Sequence, residues 1–450
     1  MANIVVSFFN SLIQLGDKNG CAPYYQAFLQ GLRDSGNNVL CFQFLKQQVV
    51  NDERIPEEYL EKIKAFNPDI FIFFNNQFWL IQKEFNCPVY IYDVDSPTGY
   101  CNSNLIKDNI NNYKFITQQT DGADMIIDSL GANKNNIKYI PPYTMIKAQQ
   151  VEQSINIGFL GTNWAYTDFN SIINFISQAH SHEDKIVARR VYELFEKYPT
   201  MTSDEIYENF NLQANKKLKL DNLYYTACRV SGIKRLRYLE NIADLGLEIR
   251  GLFWENNPVL ATYPELLFSY SKEITTTIDK VAQFYNSTKL QLNTKHIQAK
   301  SGFSWRVADI LATNACLVSE YASDIEKFGF KIPMFISLNE EREICEKLLK
   351  NENMRKDIVA HSQEIINKNH RFENVLPLFE DFMGMSLHSN NEGSLEIITI
   401  DNRIVKADDK MKILSKHFPI QYNRKSKFKE KILYKLSNHF YKELKKQIEK

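Results

Sequence analysis

Hydrophobic and polar positions alternate in blocks along the first 145 residues. "ANIVVSFF" is an unbroken apolar run of strand length. The polar loop "NSLIQLGDKNGCAP" follows it. "YYQAFLQGLRDSG" then spaces Tyr25, Phe28, Leu29 and Leu32 at helical intervals and closes at Gly36. "NVLCFQF" predicts a second strand and "PEEYLEKIKAF" a helix with proline at its start. "PDIFIFF" predicts a third strand, apolar throughout as a strand covered on both faces should be. "CPVYIYDVDSP" is a fourth and ends in acids. "YKFITQQ" and "NIKYIPPY" are further strands, with the helix "DGADMIIDSLG" between them. Strand and helix in alternation predict a parallel, doubly wound sheet.

"PPYTMIKAQQVEQS" breaks this rhythm and reads as a linker. "INIGFLGTNW" restarts it with a strand and a Gly-Thr-Asn turn. Residues 165–240 read as almost wholly helical. Strands resume at "LEIRGLFW", "KLQLNT", "ACLVSE" and "PMFIS". "EEREICEKLLKNENMRKDIVAHSQEIINKNH" reads as one long helical stretch, and "RFENVLPLFEDFMGM" as the last helix of the second half. The boundaries that follow are an N-terminal sheet domain at 1–145, a second at 155–385 with a helical insertion at about 165–240, and an extension at 388–450.

Length fits this division, since 450 residues exceed one ordinary core. The formal net charge is zero, which argues against a nucleic-acid binder relying on a basic field. That zero conceals an asymmetry. From Lys412 onward there are 12 Lys/Arg and 3 Glu, so the tail carries +9 and the remainder −9. In the tail, Phe428, Ile432, Leu436, Phe440, Leu444 and Ile448 recur at i+4 steps with lysines on the other face. This predicts a basic amphipathic helix. It either lies on an anionic membrane or packs on the acidic body or a second copy. The seven cysteines are scattered and none forms a CxxC pair, which suits reduced thiols in a cytoplasmic protein. The start of the chain lacks the pattern of a signal peptide, and no apolar run of 18 residues is present.

Ligands of doubly wound sheets bind beyond the carboxyl ends of the strands. Gly161, Thr162 and Asn163 stand there, either as a backbone nest for an anion or as a plain tight turn. "SGFSWRVADILATNACLVSE" is a second such place. Ser301, Gly302 and Ser304 make a turn with donors, and a helix begins with Arg306 in its first turn and Asp309 on the same face. Either Arg306 holds a diphosphate and Asp309 ribose hydroxyls, or the two form a surface ion pair. Asp95 in "DVDSP" caps its turn, serves an acceptor as base, or joins Asp93 on a metal, the weakest of the three. Tyr24 and Tyr25 either face the cleft from the acceptor side or enter the core. His296 reads as an exposed loop histidine or a cleft residue.

The stretch from "FYNSTKLQLNT" through "SGFSWRVADILATNACLVSEYASDIEKFGF", followed by "RKDIVAHSQEIINKNHRFENVLPLF", resembles the C-terminal half of CgeB-like glycosyltransferases, the spore-maturation-protein type. "IGFLGTNW", "RLRYLENIADLGLEIRGLFW" and "YIYDVDSP" resemble further segments of that family. The resemblance implies a GT-B fold, two Rossmann-like domains facing a cleft. It implies sugar transfer from a UDP-, GDP- or CMP-linked donor to a glycan or lipid-linked acceptor, at the inner face of the membrane for a surface glycan. It further implies Arg306 on the diphosphate, Asp309 on the ribose, Gly161, Thr162 and Asn163 on the phosphate side, and no metal or other cofactor. One departure is plain: related retaining enzymes carry two acids separated by seven residues, and the first position here is Ser301. A GT-B epimerase and a non-catalytic scaffold are the alternatives. A homo-oligomer remains open.

Overall fold

The computed structural model describes residues 1–400 except 11, 13–19, 46–56, 76–83, 96, 98–99, 101–102, 164–180, 199–200, 202, 215–230, 252–253, 255–262, 274 and 297–300. The expected basic tail helix at 412–450 lies outside these residues, as does much of the expected insertion at 165–240.

The first sheet has the order β12-β2-β1-β3-β4-β5-β6. Its strands are β1 (Asn3–Phe9), β2 (Asn38–Phe44), β3 (Ile70–Phe74), β4 (Val89–Asp93), β5 (Tyr113–Thr117), β6 (Ile137–Tyr139) and β12 (Ser394–Ile400). The second sheet has the order β11-β10-β9-β7-β8, from β7 (Ile155–Leu160), β8 (Leu247–Arg250), β9 (Thr288–Asn293), β10 (Cys316–Glu320) and β11 (Met334–Phe335). Pairs from β1 to β6 and from β7 to β11 are parallel. β3 and β4 are buried at every position, which is why both read as unbroken apolar runs.

Helices cover the sheets. They are α1 (Pro23–Asp34), α2 (Glu57–Phe66), α3 (Ser103–Asp108), α4 (Gly122–Leu130), α5 (His182–Lys197), α6 (Ser203–Asn209) and α7 (231–241). Then come α8 (Glu265–Ser269), α9 (Ile278–Asn286), α10 (Trp305–Leu311), α11 (Ser323–Lys327), α12 (Leu338–Lys350), α13 (Glu352–Asn369) and α14 (Phe372–Met383). The expected long helix of 340–370 is two helices. Asn351 leaves the helical region at φ −124°, and its side chain accepts the Met354 amide at 3.0 Å, so it caps a new start.

The chain also crosses back to the first sheet after the second is complete. α14 follows the second sheet in sequence, yet Phe372, Val375, Leu376, Phe379 and Met383 are buried in the first core. Phe28 of α1 meets Phe372 and Phe379 at ring-centroid distances of 6.3 and 5.8 Å. β12 then takes the edge beside β2, where Thr399 accepts a hydrogen bond from Gln43 at 2.6 Å and Lys62 pairs with Glu396. Both pieces lie in stretches that the sequence attaches to the second half and to the extension. Periodicity shows that a face is apolar but not which core receives it.

Candidate functional site

In each sheet the strand that comes first in sequence is followed in space by its second on one side and its third on the other. The order reverses between β1 and β3 and between β7 and β9. Such switch points leave a crevice at the carboxyl ends, because the flanking connections run to opposite faces. In the second sheet this crevice is bounded by Gly161–Asn163 after β7 and Thr294–His296 after β9.

Arg235 of α7 spans it. Its Nε donates to Thr294 Oγ1 at 2.9 Å and its Nη1 to the Thr162 carbonyl. Its guanidinium lies 5.4 Å from the centre of the Phe159 ring, and that of Arg306 lies 5.8 Å from the same ring. A Cβ on Gly161 would stand 2.9 Å from the Phe159 ring and 3.2 Å from Arg306 Nη2, so glycine keeps this corner open for the guanidinium. Arg235 is 3% exposed. Burial, and then the charge of Arg306, push its pKa down. Among the described residues neither arginine forms an ion pair. Two cations thus lie beside one ring, and the carboxylates that act on them, Glu320 on Arg235 and Asp309 on Arg306, do so without a salt bridge among the described residues.

The neighbouring charges are already paired. Lys234 Nζ meets Glu320 Oε1 at 2.6 Å with both side chains buried, and Glu320 Oε2 accepts the Lys295 amide at 2.8 Å. His296 lies beside them. Burial and the charges of Arg235 and Lys234 push it down to about 3, so it is neutral near pH 7.

The structure redistributes the roles expected of the two turns. The Gly161 amide donates to the Arg250 carbonyl at 3.0 Å, and the Gly161 carbonyl accepts from Trp254 Nε1 at 2.7 Å. Gly161 is thus spent on holding β7 to β8, and its amide is withdrawn from the expected nest. Positive charge at this turn comes from side chains instead. The helix expected to follow lies outside the described residues. In the second turn, Ser301 is buried and its hydroxyl donates to Asp121 Oδ1 at 2.5 Å, so it ties the turn to the end of β5. Gly302 has φ +70°, a left-handed conformation that a side chain would strain. Ser304 is the exposed residue preceding α10, and its side chain makes no cap.

Asp309 is 6% exposed, and its Oδ1 accepts the Thr144 hydroxyl at 2.5 Å. Burial drives its carboxyl up to about 7, against that hydrogen bond and the charges of Arg306 and Arg371. The surface ion pair left open by the sequence does not form: Asp309 is buried and its bonded partner is Thr144. Asp95 stands after β4. Asn75 Nδ2 donates to its Oδ2 at 2.8 Å, while Asn75 Oδ1 accepts the amides of Val94 and Asp95. Asn75 adopts φ 56° to make this clasp. Asp95 is open to solvent yet walled by protein, which raises its carboxyl pKa, with Asn75 opposing. Asp93 instead accepts the buried Tyr100 hydroxyl at 2.6 Å, so the two acids of "DVD" serve different partners. Among the described residues no three His, Cys, Asp or Glu side chains are grouped to hold a metal.

Tyr24 and Tyr25 part ways. Tyr25 is 6% exposed and stacks on Phe8 at 4.0 Å, which makes it a core residue rather than an acceptor contact. Tyr24 is half-buried and its ring lies 3.8 Å from that of Trp305, tilted by 31°. The charges of Asp95 and Arg306 both act on Tyr24, so it lies between the two candidate halves of the site.

Arg235 escapes a sequence reading. The segment around it looks like an ordinary amphipathic helix, with Ile233, Leu236 and Leu239 as its apolar face. The available signal was the adjacent Lys234–Arg235 pair intruding on that face.

Residues 234–381 match the family model described as "Glycosyl transferase-like", and this span contains Arg235, Ser301, Arg306 and Asp309. No curated protein matches the chain. Among solved structures, a DNA-modifying beta-glucosyltransferase is 12% identical, covers 85% of this chain and 100% of its own, and has a TM-score of 0.46. Alr3699/HepE of Anabaena, solved with UDP-glucose, is 9% identical over 85% and 99%, with a TM-score of 0.43. An epimerase-type structure from Listeria monocytogenes is 9% identical over 88% and 100%, at 0.43. No reaction is taken from likenesses this distant. Over residues 234–381 the chain is similar to the glycosyl transferase-like family, and this span lies on a framework of two largely parallel sheets.

Proposed function

We propose that the protein transfers a sugar from a nucleoside-diphosphate sugar to an acceptor hydroxyl, with the diphosphate held by Arg235 and Arg306. The observation that carries this is the pair of arginines beside the Phe159 ring at the β7/β9 switch point, neither of them in a salt bridge among the described residues. The reaction breaks the bond between the anomeric carbon and the diphosphate, and negative charge grows on the departing oxygen. Fixed guanidinium groups meet that charge without reorganising, and the reading needs no metal.

Asp309 lies one turn along α10 from Arg306. With Oδ1 on Thr144, its other oxygen is assigned to the ribose hydroxyls. Asp95 takes the proton of the acceptor hydroxyl, beside Tyr24. The acceptor is a glycan or a lipid-linked sugar, and the +9 tail brings the enzyme to an anionic membrane surface.

A thermal-shift screen with UDP, GDP and CMP, followed by calorimetry, tests the site. A ligand bound to the folded state raises the melting temperature by mass action. Arg306→Ala should cost about 1.5–3 kcal/mol of diphosphate affinity, the worth of a hydrogen bond to a charged group. Unchanged affinity in a folded Arg306→Ala protein would sink the assignment. Incubating the donor without acceptor separates transfer from epimerisation, which alone would return an isomerised donor.

A further inference from the structure

The side chain next to Arg306 belongs to a different core from its neighbours. α10 is a helix of the second sheet, and Val307, Ala308, Ile310 and Leu311 pack in the second core. Trp305, its first residue, is 6% exposed and packs in the first core. Its ring lies 3.8 Å from that of Tyr24, and 6.5, 6.2 and 5.9 Å from those of Tyr25, Phe74 and Tyr92. These four rings come from α1, β3 and β4. The short helix is thus pinned in both cores, with Arg306 at the crossing.

The Trp305 Nε1–H is buried without a hydrogen-bond partner among the described residues. Ring packing, rather than a polar bond, therefore holds the indole in place. Aromatic contacts of this kind are directional and favour stacked or edge-on arrangements over others. A side chain wedged among four rings fixes its backbone more tightly than one on a surface. The adjacent Arg306 has no ion pair or hydrogen bond among the described residues to fix it, and its guanidinium lies over the Phe159 ring.

We infer that Trp305 is a positioning residue: its insertion between Tyr24, Tyr25, Phe74 and Tyr92 sets Arg306 over Phe159, so the aromatic box of the first half controls anion binding in the second. The inference rests on the reading of Arg306 as a diphosphate ligand. It makes Tyr24, which the acceptor side supplies, a determinant of donor affinity.

The test uses the full chain, with inorganic pyrophosphate as probe, and the variants Trp305→Ala, Trp305→Phe and Tyr24→Ala. Melting temperatures establish which variants are folded. Calorimetry should show Trp305→Ala weakening pyrophosphate on the order of tenfold, close to the loss of the Arg306 contact itself. Trp305→Phe is smaller but keeps an aromatic ring in the box and should stay within about threefold, since a ring can still meet its neighbours stacked or edge-on. Tyr24→Ala should shift affinity in the same direction as Trp305→Ala. A second readout does not depend on binding: phenylglyoxal modification followed by mass spectrometry. Arg306 should be labelled several-fold faster in Trp305→Ala and at the wild-type rate in Trp305→Phe, while Arg342 of α12, paired with Asp244, stays constant. Wild-type labelling of Arg306 in folded Trp305→Ala would overturn the inference, as would a Trp305→Phe protein no better than the alanine variant. If the wild type fails to bind pyrophosphate at all, the diphosphate reading falls, and the labelling rates alone decide whether Trp305 positions Arg306.

Discussion

At the scale of single residues the two arginines are not equivalent. Arg235 makes two hydrogen bonds to the segments that follow β7 and β9, whereas Arg306 has only its contact with the Phe159 ring. Arg235→Lys should therefore lower both diphosphate affinity and melting temperature, because a lysine cannot reproduce the fork that reaches Thr294 and Thr162. Arg306→Ala should lower affinity alone. Asp95→Asn should leave diphosphate affinity unchanged and reduce kcat by about 10²–10⁴, the usual contribution of a positioned general base. Because the surroundings raise the Asp95 carboxyl, the acid limb of the wild-type rate profile should lie above an ordinary aspartate's, and it should disappear in Asp95→Asn. Asp309→Asn should weaken a ribonucleotide more than its 2′,3′-dideoxy analogue, and equal losses would leave Asp309 only its bond to Thr144. Arg306 and Asp309 stand out in the sequence because a cation at a helix start and an acid one turn on are locally visible. Arg235 does not, because its partners Thr162 and Thr294 are 73 and 59 residues away.

At the scale of elements, α14 is the clearest case of a helix whose role depends on where it lands. Phe379 is fully buried against Phe28, Tyr92 and Tyr143. Phe379→Ala should cost about 3–5 kcal/mol, the range for deleting a buried phenyl ring. The loss should appear as faster hydrogen exchange in β1, β3 and β4 of the first sheet, although residue 379 follows the whole of the second in sequence. α12 carries a different signature. Glu341 is 0% exposed, one oxygen accepts from Asn241 at 3.0 Å, and the other has no partner among the described residues. Burial pushes its carboxyl up to about 9, and the nearby Glu320 adds to the shift. The folded state therefore holds this proton, and the stability it confers is complete below the ordinary glutamate range and lost as pH rises toward 9. Glu341→Gln, which mimics the protonated form, should raise stability at pH 8–9 by about 1–3 kcal/mol, the penalty scale for an unsatisfied buried group, and change it little at pH 5. Equal effects at both pH values would show that the carboxyl stays ionised in the fold.

At the scale of the whole molecule, opposed titrations shape stability against pH. Burial raises Asp309 and Glu341 and depresses His296 and His370. The raised acids lose their contribution as pH climbs through about 7 and about 9. The depressed histidines lose theirs as pH falls below the ordinary histidine value. Between pH 5 and 6.5 the two slopes oppose, and above 7 only Glu341 of these four groups still acts. The melting temperature should thus be nearly level in the first interval and fall in the second. A melting temperature still rising from pH 7 to 9 would contradict the protonated state of Glu341. The charge division makes a separate prediction. Deleting 412–450 should spare diphosphate binding and abolish association with anionic vesicles, and that association should fade with salt, since each basic residue near such a surface contributes about 1 kcal/mol. If the full chain ignores such vesicles at low salt and truncation lowers the melting temperature, the tail belongs to the protein's own packing.

The sequence by itself determined the parts of this protein that depend on neighbours along the chain. Strands β3, β4, β9 and β10, the amphipathic α1, and the turn carrying Gly302 are set by local periodicity and backbone freedom, so they were legible before any fold was known. The parallel build followed, because alternating strands and helices allow few other arrangements. Tertiary structure alone decided which core receives α14 and β12, why Tyr25 is buried while Tyr24 meets Trp305, and how Arg235 bridges Thr162 and Thr294. It also turned Gly161 from an anion donor into a brace between β7 and β8. Each of these depends on what stands opposite in space. An apolar face or a charged side chain encodes the need for a partner, and only the closed fold brings one within a few ångströms.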